Sequence, residues 1–276
     1  MARRRQHGSF IVKYAIVDGA RQEASSGARG TCPVCGAVLI PKCGKIRVPH
    51  WAHPPGIVDQ RWEPETAWHR AWKAYFSVEC QEVVLQAVNG ERHIADVKTA
   101  HGHVLEFQHS SISDEERRSR EAFHRPMQWI VDGQSRKRDR PRFIEALRHG
   151  RVASVRPWTM IAPIGQCILL RKWADSRVWV FFDFGESDEG GEVYRFGAPI
   201  LWALEPGRQR GVAVLKPVLR QKFIDAMLVG EHPRGIVFPK AFERVLQISV
   251  PSRPPHPQSF AAYLERKRRA RTWKRF

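Results

Sequence analysis

The 276-residue sequence contains no uninterrupted apolar run approaching about 18 residues, the length that a membrane-spanning helix needs. No transmembrane helix is therefore expected, and no membrane insertion. The opening Ala2-Arg3-Arg4-Arg5 has the charge of a secretory leader, but the following stretch Phe10 to Val17 is broken by Lys13 and lacks a small-residue cleavage pattern. It reads as a β-strand. Cysteine is scarce, with Cys32, Cys35, Cys43, Cys80 and Cys167 making five. An odd count with one Cys-x-x-Cys pair argues against a disulfide scaffold and suits a reducing cytoplasm. No internal repeat is present, which removes solenoids and propellers. No helix-turn-helix pattern is legible, which leaves a zinc-dependent transcription regulator without support. Acidic residues are few beside the basic ones: 28 Asp and Glu stand against 46 Lys and Arg, a net charge of +18.

That excess favours polyanionic partners, because each neutralised phosphate releases counterions. An anionic membrane surface would need an amphipathic or apolar anchor, and none is evident. Hydrophobic residues at 42% and charged residues at 27% are ordinary for a folded chain. The length allows one large domain or two modest ones.

Residues 8–18 read as a strand, followed by a Gly/Ser loop and a cysteine/histidine module ending at Pro54-Pro55-Gly56. Trp68, Trp72, Tyr75 and Phe76 recur at helical spacing over Glu65 to Ser77. Three short strands are expected at Glu82 to Val88, Arg92 to Thr99 and His103 to His109, with Asn89-Gly90 making a tight hairpin turn. A helix over Ser113 to Phe123 has Ser113 as its N-cap and Glu116 at capping-box spacing. Met127 to Val131 is a further strand. A second region is expected from about residue 151. It opens with a hairpin of Ile168 to Trp173 and Val178 to Phe184, and a helix follows over Pro217 to Val229. Beyond the proline-rich stretch Pro251 to Pro257, a basic helix is expected over Phe260 to Phe276.

Cys32-Pro33-Val34-Cys35 and His50-Trp51-Ala52-His53 form two ligand pairs separated by 14 residues. Zn²⁺ takes four such ligands in a tetrahedron, and a site closed by four protein groups is structural. The match to finger spacing is good but imperfect, since the second pair is His-x-x-His, and Cys43 could replace one histidine.

Asp96 lies on one expected strand, and Glu106 and Gln108 alternate along the next, on one face opposite Leu105 and Phe107. Two carboxylates on adjacent strands can share a hard cation such as Mg²⁺, which activates water and clamps phosphate. Glu65, His69 and Lys73 are spaced four apart on the preceding helix. They fit a solvated charge ladder, or a face looking into the same cleft.

The ordered series Cys-Pro-x-Cys, His-Trp-Ala-His, Glu65-x₃-His69-x₃-Lys73, Arg92-x₃-Asp96-Val97 and Glu106-Phe107-Gln108-x-Ser110-x-Ile112-Ser113 resembles the CoiA-like competence proteins of the PD-(D/E)xK nuclease superfamily over residues 8–132. The resemblance implies an α/β restriction-endonuclease-like core of a mixed sheet flanked by helices, with an N-terminal zinc-ribbon-like element. Three segments follow: residues 8–56 for the strand and zinc module, 60–150 for the nuclease core, and 151–276 for a C-terminal α+β region. It also implies DNA as substrate, Mg²⁺ or Mn²⁺ as catalytic cofactor, and DNA-uptake or recombination proteins as partners. By position, Asp96 and Glu106 would be the metal carboxylates and the Phe107 carbonyl a third oxygen. Gln108 stands where many members of the superfamily carry a catalytic Lys. Gln can position a water but brings no positive charge, so Lys73 is the candidate for that charge, with Arg92 and Arg120 as alternatives. His69 would orient water or touch phosphate, and Glu65 would be a third acid or a partner for Lys73.

DNA-contacting candidates are Arg92, Arg120, the stretch Arg136, Lys137, Arg138 and Arg140, and the tail residues Arg266, Lys267, Arg268 and Arg269. The competing reading is a non-catalytic, zinc-containing DNA-binding protein on a nuclease-like scaffold. Two buried acids in a cleft facing phosphates disfavour it, since they repel the ligand unless a metal intervenes.

Overall fold

Two β-sheets carry the chain, and side-chain alternation explains how each is covered. The computed structural model describes residues 11–44, 48–54, 65–87, 90, 92–155, 158–185, 198–207 and 211–231. The N-terminal part folds as β1 (Ile11–Val12), β2 (Tyr14–Val17), β3 (Ala20–Glu23), β4 (Gly30–Thr31), β5 (Val38–Lys42) and β6 (His50–Ala52). These strands form a six-stranded antiparallel sheet in the order β1-β6-β5-β4-β2-β3. Its core is Val12, Ala15, Ala24, Cys32, Leu39 and Trp51.

The chain continues through α1 (Ala67–Lys73), β7 (Gln81–Gln86), β8 (Arg92–Lys98), β9 (Val104–Gln108), α2 (Asp114–Phe123), β10 (Met127–Asp132) and α3 (Asp139–Arg148). It ends, within the described residues, with β11 (Arg151–Val155), β12 (Trp158–Pro163), α4 (Ile168–Trp173), β13 (Val180–Asp183), β14 (Ile200–Leu204), β15 (Val212–Leu219) and α5 (Arg220–Val229). All nine of these strands belong to one sheet, ordered β11-β12-β15-β14-β13-β10-β9-β8-β7. The pairs β9–β10 and β10–β13 are parallel and the rest antiparallel. Among the described residues the protein is thus mixed α/β, with two sheets and five α-helices.

Period-two geometry splits the central strands between two cores. Trp129 and Val131 of β10, Val180 and Phe182 of β13 and Trp202 and Leu204 of β14 join one cluster with Phe143, Leu147, Leu170 and Trp173 of α3 and α4. Their neighbours Ile130, Phe181, Leu201 and Ala203 join the other, with Trp72 of α1 and Phe223, Ile224 and Met227 of α5. Every residue of β10 is buried, as a strand covered on both faces requires.

Most expected elements are present, with five corrections. The first strand breaks at Lys13, whose N–H donates to the Glu82 carboxylate instead of joining a ladder. The first helix starts at Ala67, not Glu65, because Thr66 caps it by accepting from His69 N. It ends at Lys73 rather than Ser77. Ile168–Trp173 is a helix rather than a hairpin strand: Leu169, Leu170 and Trp173 are its buried residues, at one-turn spacing. Pro217 to Leu219 extends β15, so the last described helix begins at Arg220. The sheet also crosses the expected boundary at 150/151, with β11 to β15 pairing onto the strands before them. Ser113 caps α2 by accepting from Glu116 N at 3.1 Å, while the Glu116 side chain turns to Arg120. The hairpin glycine Gly90 has φ 87°, the left-handed conformation that a tight turn asks for. The expected C-terminal helix and the proline-rich stretch lie outside the described residues. No described helix is long and apolar enough to cross a membrane.

Arg117 of α2 is fully buried and binds Glu121 at 2.8 Å and Asp175 at 2.6 Å. Glu121 also accepts from Ser176 Oγ, Arg177 N and Trp129 Nε1. Removing one partner of such a pair strands a buried charge. Arg117→Ala should lower the unfolding free energy by about 3–5 kcal/mol in chemical denaturation; a loss under about 1 kcal/mol, the scale of a surface pair, would contradict that role.

Candidate functional site

Three acidic residues lie on three neighbouring strands at the edge of the large sheet. Glu82 lies between the pairs Gln81↔Val97 and Val83↔Ala95, which places it opposite Asp96. The β8–β9 pairing runs through Lys98↔Val104 and Val97↔Leu105, and Asp96 and Glu106 are the next residues beyond it on each strand.

Helix α1 supplies the counter-charge. The Lys73 side chain, only 3% exposed, lies 3.1 Å from Glu82 Oε1, 3.1 Å from Asp96 Oδ1 and 3.2 Å from Glu65 Oε1. One ammonium thus meets three carboxylates. Burial alone would push the lysine down, but Glu82, Asp96 and Glu65 outweigh it and hold it well above its ordinary value. Burial likewise raises Asp96, yet Lys73, His69 and the Phe107 amide bring it below its ordinary value. Asp96 Oδ2 accepts from that amide at 3.0 Å. His69 Nε2 lies 3.1 Å from the Phe107 carbonyl, and its Nδ1 accepts from Thr66 N at the helix start. Burial keeps the His69 imidazole below its usual range, hence neutral at pH 7. Glu65 precedes the N-cap, yet still reaches Lys73 and Arg70.

Glu106 is 1% exposed. Its Oε2 accepts from Arg120 at 2.8 Å, and Arg120 is shared with Glu116 at 2.9 Å. Its Oε1 has no hydrogen-bond partner among the described residues; His124 Nε2 lies 3.5 Å away. Burial pulls that imidazole down to about 4, so it is neutral at pH 7 and supplies no charge. Burial also pushes the Glu106 carboxyl from 4.5 up to about 7, which Arg120 only partly offsets. Gln108 is buried and donates from Nε2 to the Ser110 carbonyl at 3.3 Å. A carboxylate oxygen without a partner among the described residues is the kind of donor that hard divalent cations prefer.

The six-stranded sheet brings Cys32, Cys35 and His53 together. Their ligand atoms lie within 4.8 Å of one another, so they could hold a metal ion. Cys35 Sγ is 3.3 Å from His53 Nε2. It is the one such group of three or more among the described residues. His50 is not in it, and its Nδ1 lies 2.7 Å from the Val48 carbonyl. The reason is strand geometry: residues three apart along an extended chain point to opposite sides. Cys43 is exposed and also outside the group.

Of the basic candidates, Arg136, Lys137 and Arg138 are exposed between β10 and α3, and Arg140 is half-buried in α3. Arg92 donates to Val34 O, inside the Cys-x-x-Cys turn, at 2.8 Å. Arg266, Lys267, Arg268 and Arg269 lie outside the described residues. Motif spacing missed Glu82 and His124. The strand register would have pointed to the first; nothing local marks the second.

The raised Glu106 value has a stability consequence. Between the unfolded value of 4.5 and the folded value of about 7, the native protein holds a proton that the unfolded chain releases. The contribution of this group is complete below pH 4.5 and lost as pH rises through about 7. In metal-free buffer the stability difference between wild type and Glu106→Gln should shift against wild type over that interval. Denaturant titrations at several pH values would show it; a pH-independent difference would contradict the assignment.

No protein-family model, no curated protein and no solved structure matches the chain.

Proposed function

We propose that the protein is a metal-dependent nuclease that hydrolyses DNA phosphodiester bonds, built on a PD-(D/E)xK-type core and similar to the CoiA-like competence proteins. The observation that carries this reading is the buried Glu106, with one oxygen unpartnered among the described residues, on the strand next to that of Asp96. Asp96, Glu106 and the Phe107 carbonyl are the oxygens that would hold Mg²⁺ or Mn²⁺. The bound cation would polarise a phosphoryl oxygen and make water nucleophilic near neutral pH.

The other roles belong to the side chains around these acids. Lys73 supplies positive charge where phosphate charge develops, in place of the residue that Gln108 replaces. Gln108 orients water through an amide that carries no charge. His69, neutral, fixes the Phe107 carbonyl. Arg120 holds Glu106 through Oε2 and leaves Oε1 for the cation. Arg136, Lys137 and Arg138, on the turn that follows β10, neutralise the DNA backbone. Cys32, Cys35 and His53 hold a structural zinc ion that stiffens the N-terminal sheet.

The net charge around Lys73 supports catalysis over simple binding. Glu65, Glu82 and Asp96 outnumber Lys73 and Arg70, which pairs with Glu65, and this acidic surplus repels phosphate until a cation enters. The test is incubation of the pure protein with linear, circular and single-stranded DNA in Mg²⁺, Mn²⁺ or EDTA. Cleavage should require the divalent ion, and Asp96→Asn should slow it by about 10²–10³-fold while DNA binding persists. Wild-type rates from Asp96→Asn, or cleavage in EDTA, would contradict the reading.

A further inference from the structure

Glu82 belongs to no motif of the series, yet the structure builds a complete environment around it. Its backbone has φ 47°, in the left-handed region that favours glycine. The Glu82 side chain is 10% exposed and binds in two directions. Toward the N-terminal sheet, Oε2 accepts from Lys13 N at 3.0 Å and Tyr14 N at 3.3 Å, and Oε1 accepts from Lys13 N at 3.2 Å. These amides sit where β1 breaks from β2. Toward the acidic site, Oε1 accepts from Lys73 Nζ at 3.1 Å.

The adjacent Gln81 fastens the same joint. Its Oε1 accepts from Lys13 Nζ at 2.7 Å and Tyr14 OH at 3.1 Å. Its Nε2 donates to the carbonyls of Lys73 at 2.9 Å and Phe76 at 2.8 Å, at the end of α1. The lysine backbone is therefore tied by Gln81 and its ammonium by Glu82.

We propose that Glu82 is a positioning residue that aims Lys73 at Asp96, with the Lys13 and Tyr14 amides as its anchor. An ammonium has three hydrogens to donate, and Glu65, Glu82 and Asp96 supply three acceptors around it. Without Glu82 one hydrogen loses its acceptor inside the protein, and the side chain is free to turn toward Glu65. The consequence for catalysis rests on the nuclease reading; the placement of Lys73 does not.

Two variants separate carboxylate from backbone. Glu82→Gly suits the left-handed backbone and deletes the carboxylate. Glu82→Gln keeps the length but leaves one acceptor oxygen, and it carries the same readouts if the glycine variant does not fold. The first readout is acylation of Lys73 by acetic anhydride in the native protein, measured by mass spectrometry against Lys98. It should rise several-fold in both variants. The second is DNA cleavage: kcat should fall by about 10²-fold, the scale of a misplaced catalytic group, with KM unchanged. Wild-type labelling of Lys73 in both variants overturns the proposal, as does an unchanged kcat in a protein that cuts DNA. If the wild type cuts no DNA, the nuclease reading fails and the labelling alone decides the role of Glu82.

Discussion

A buried ammonium must be met by acceptors at hydrogen-bonding distance, because its desolvation otherwise costs several kcal/mol. Lys73 is such a group, and meeting its needs constrains much of the molecule. Helix α1 has to present its last residue to the sheet edge, β7 has to place Glu82 there, and β8 has to place Asp96 beside it. Trp72, on the same helix, donates to Asp183 at 2.9 Å and stacks near Phe107, which fixes the helix against the strands. The stacked Phe107 sends its amide to Asp96 and its carbonyl toward His69. The geometry of the acids is thus set by packing on one side and by charge on the other.

The two sheets are joined at this place. Lys13, Tyr14 and Arg21 bind Gln81 and Glu82, Arg70 reaches Glu23 at 3.5 Å, and Arg92 reaches the Cys-x-x-Cys turn. A metal held by Cys32, Cys35 and His53 would order a turn that is bonded to the strand of Asp96, four residues away. With three ligands from the described residues, that site differs from the closed four-ligand set that the spacing suggested. The difference arises because His50 lies on a strand, where a three-residue interval separates side chains instead of pairing them.

Much of the central architecture was legible in the sequence. The run of three strands, the helix capped by Ser113 and the strand at Met127 all follow from local periodicity and turn residues. The placement of Asp96 and Glu106 on adjacent strands was legible as well, from strand alternation and the turn between them. The helix at Ile168 was misread because six residues with three adjacent apolar ones suit either period. Membership of β11 to β15 in the central sheet was not legible, since it depends on long-range pairing that no local pattern records. His124 stayed hidden for the same reason, whereas Glu82 needed only the register of β7 on β8.

A divalent cation shared by Asp96 and Glu106, as proposed, would show in anomalous diffraction from crystals soaked in Mn²⁺. One manganese peak is expected in contact with Asp96, Glu106 and the Phe107 carbonyl, and it should be lost in Asp96→Asn. Manganese bound elsewhere, with this pair free of metal, would contradict the proposal.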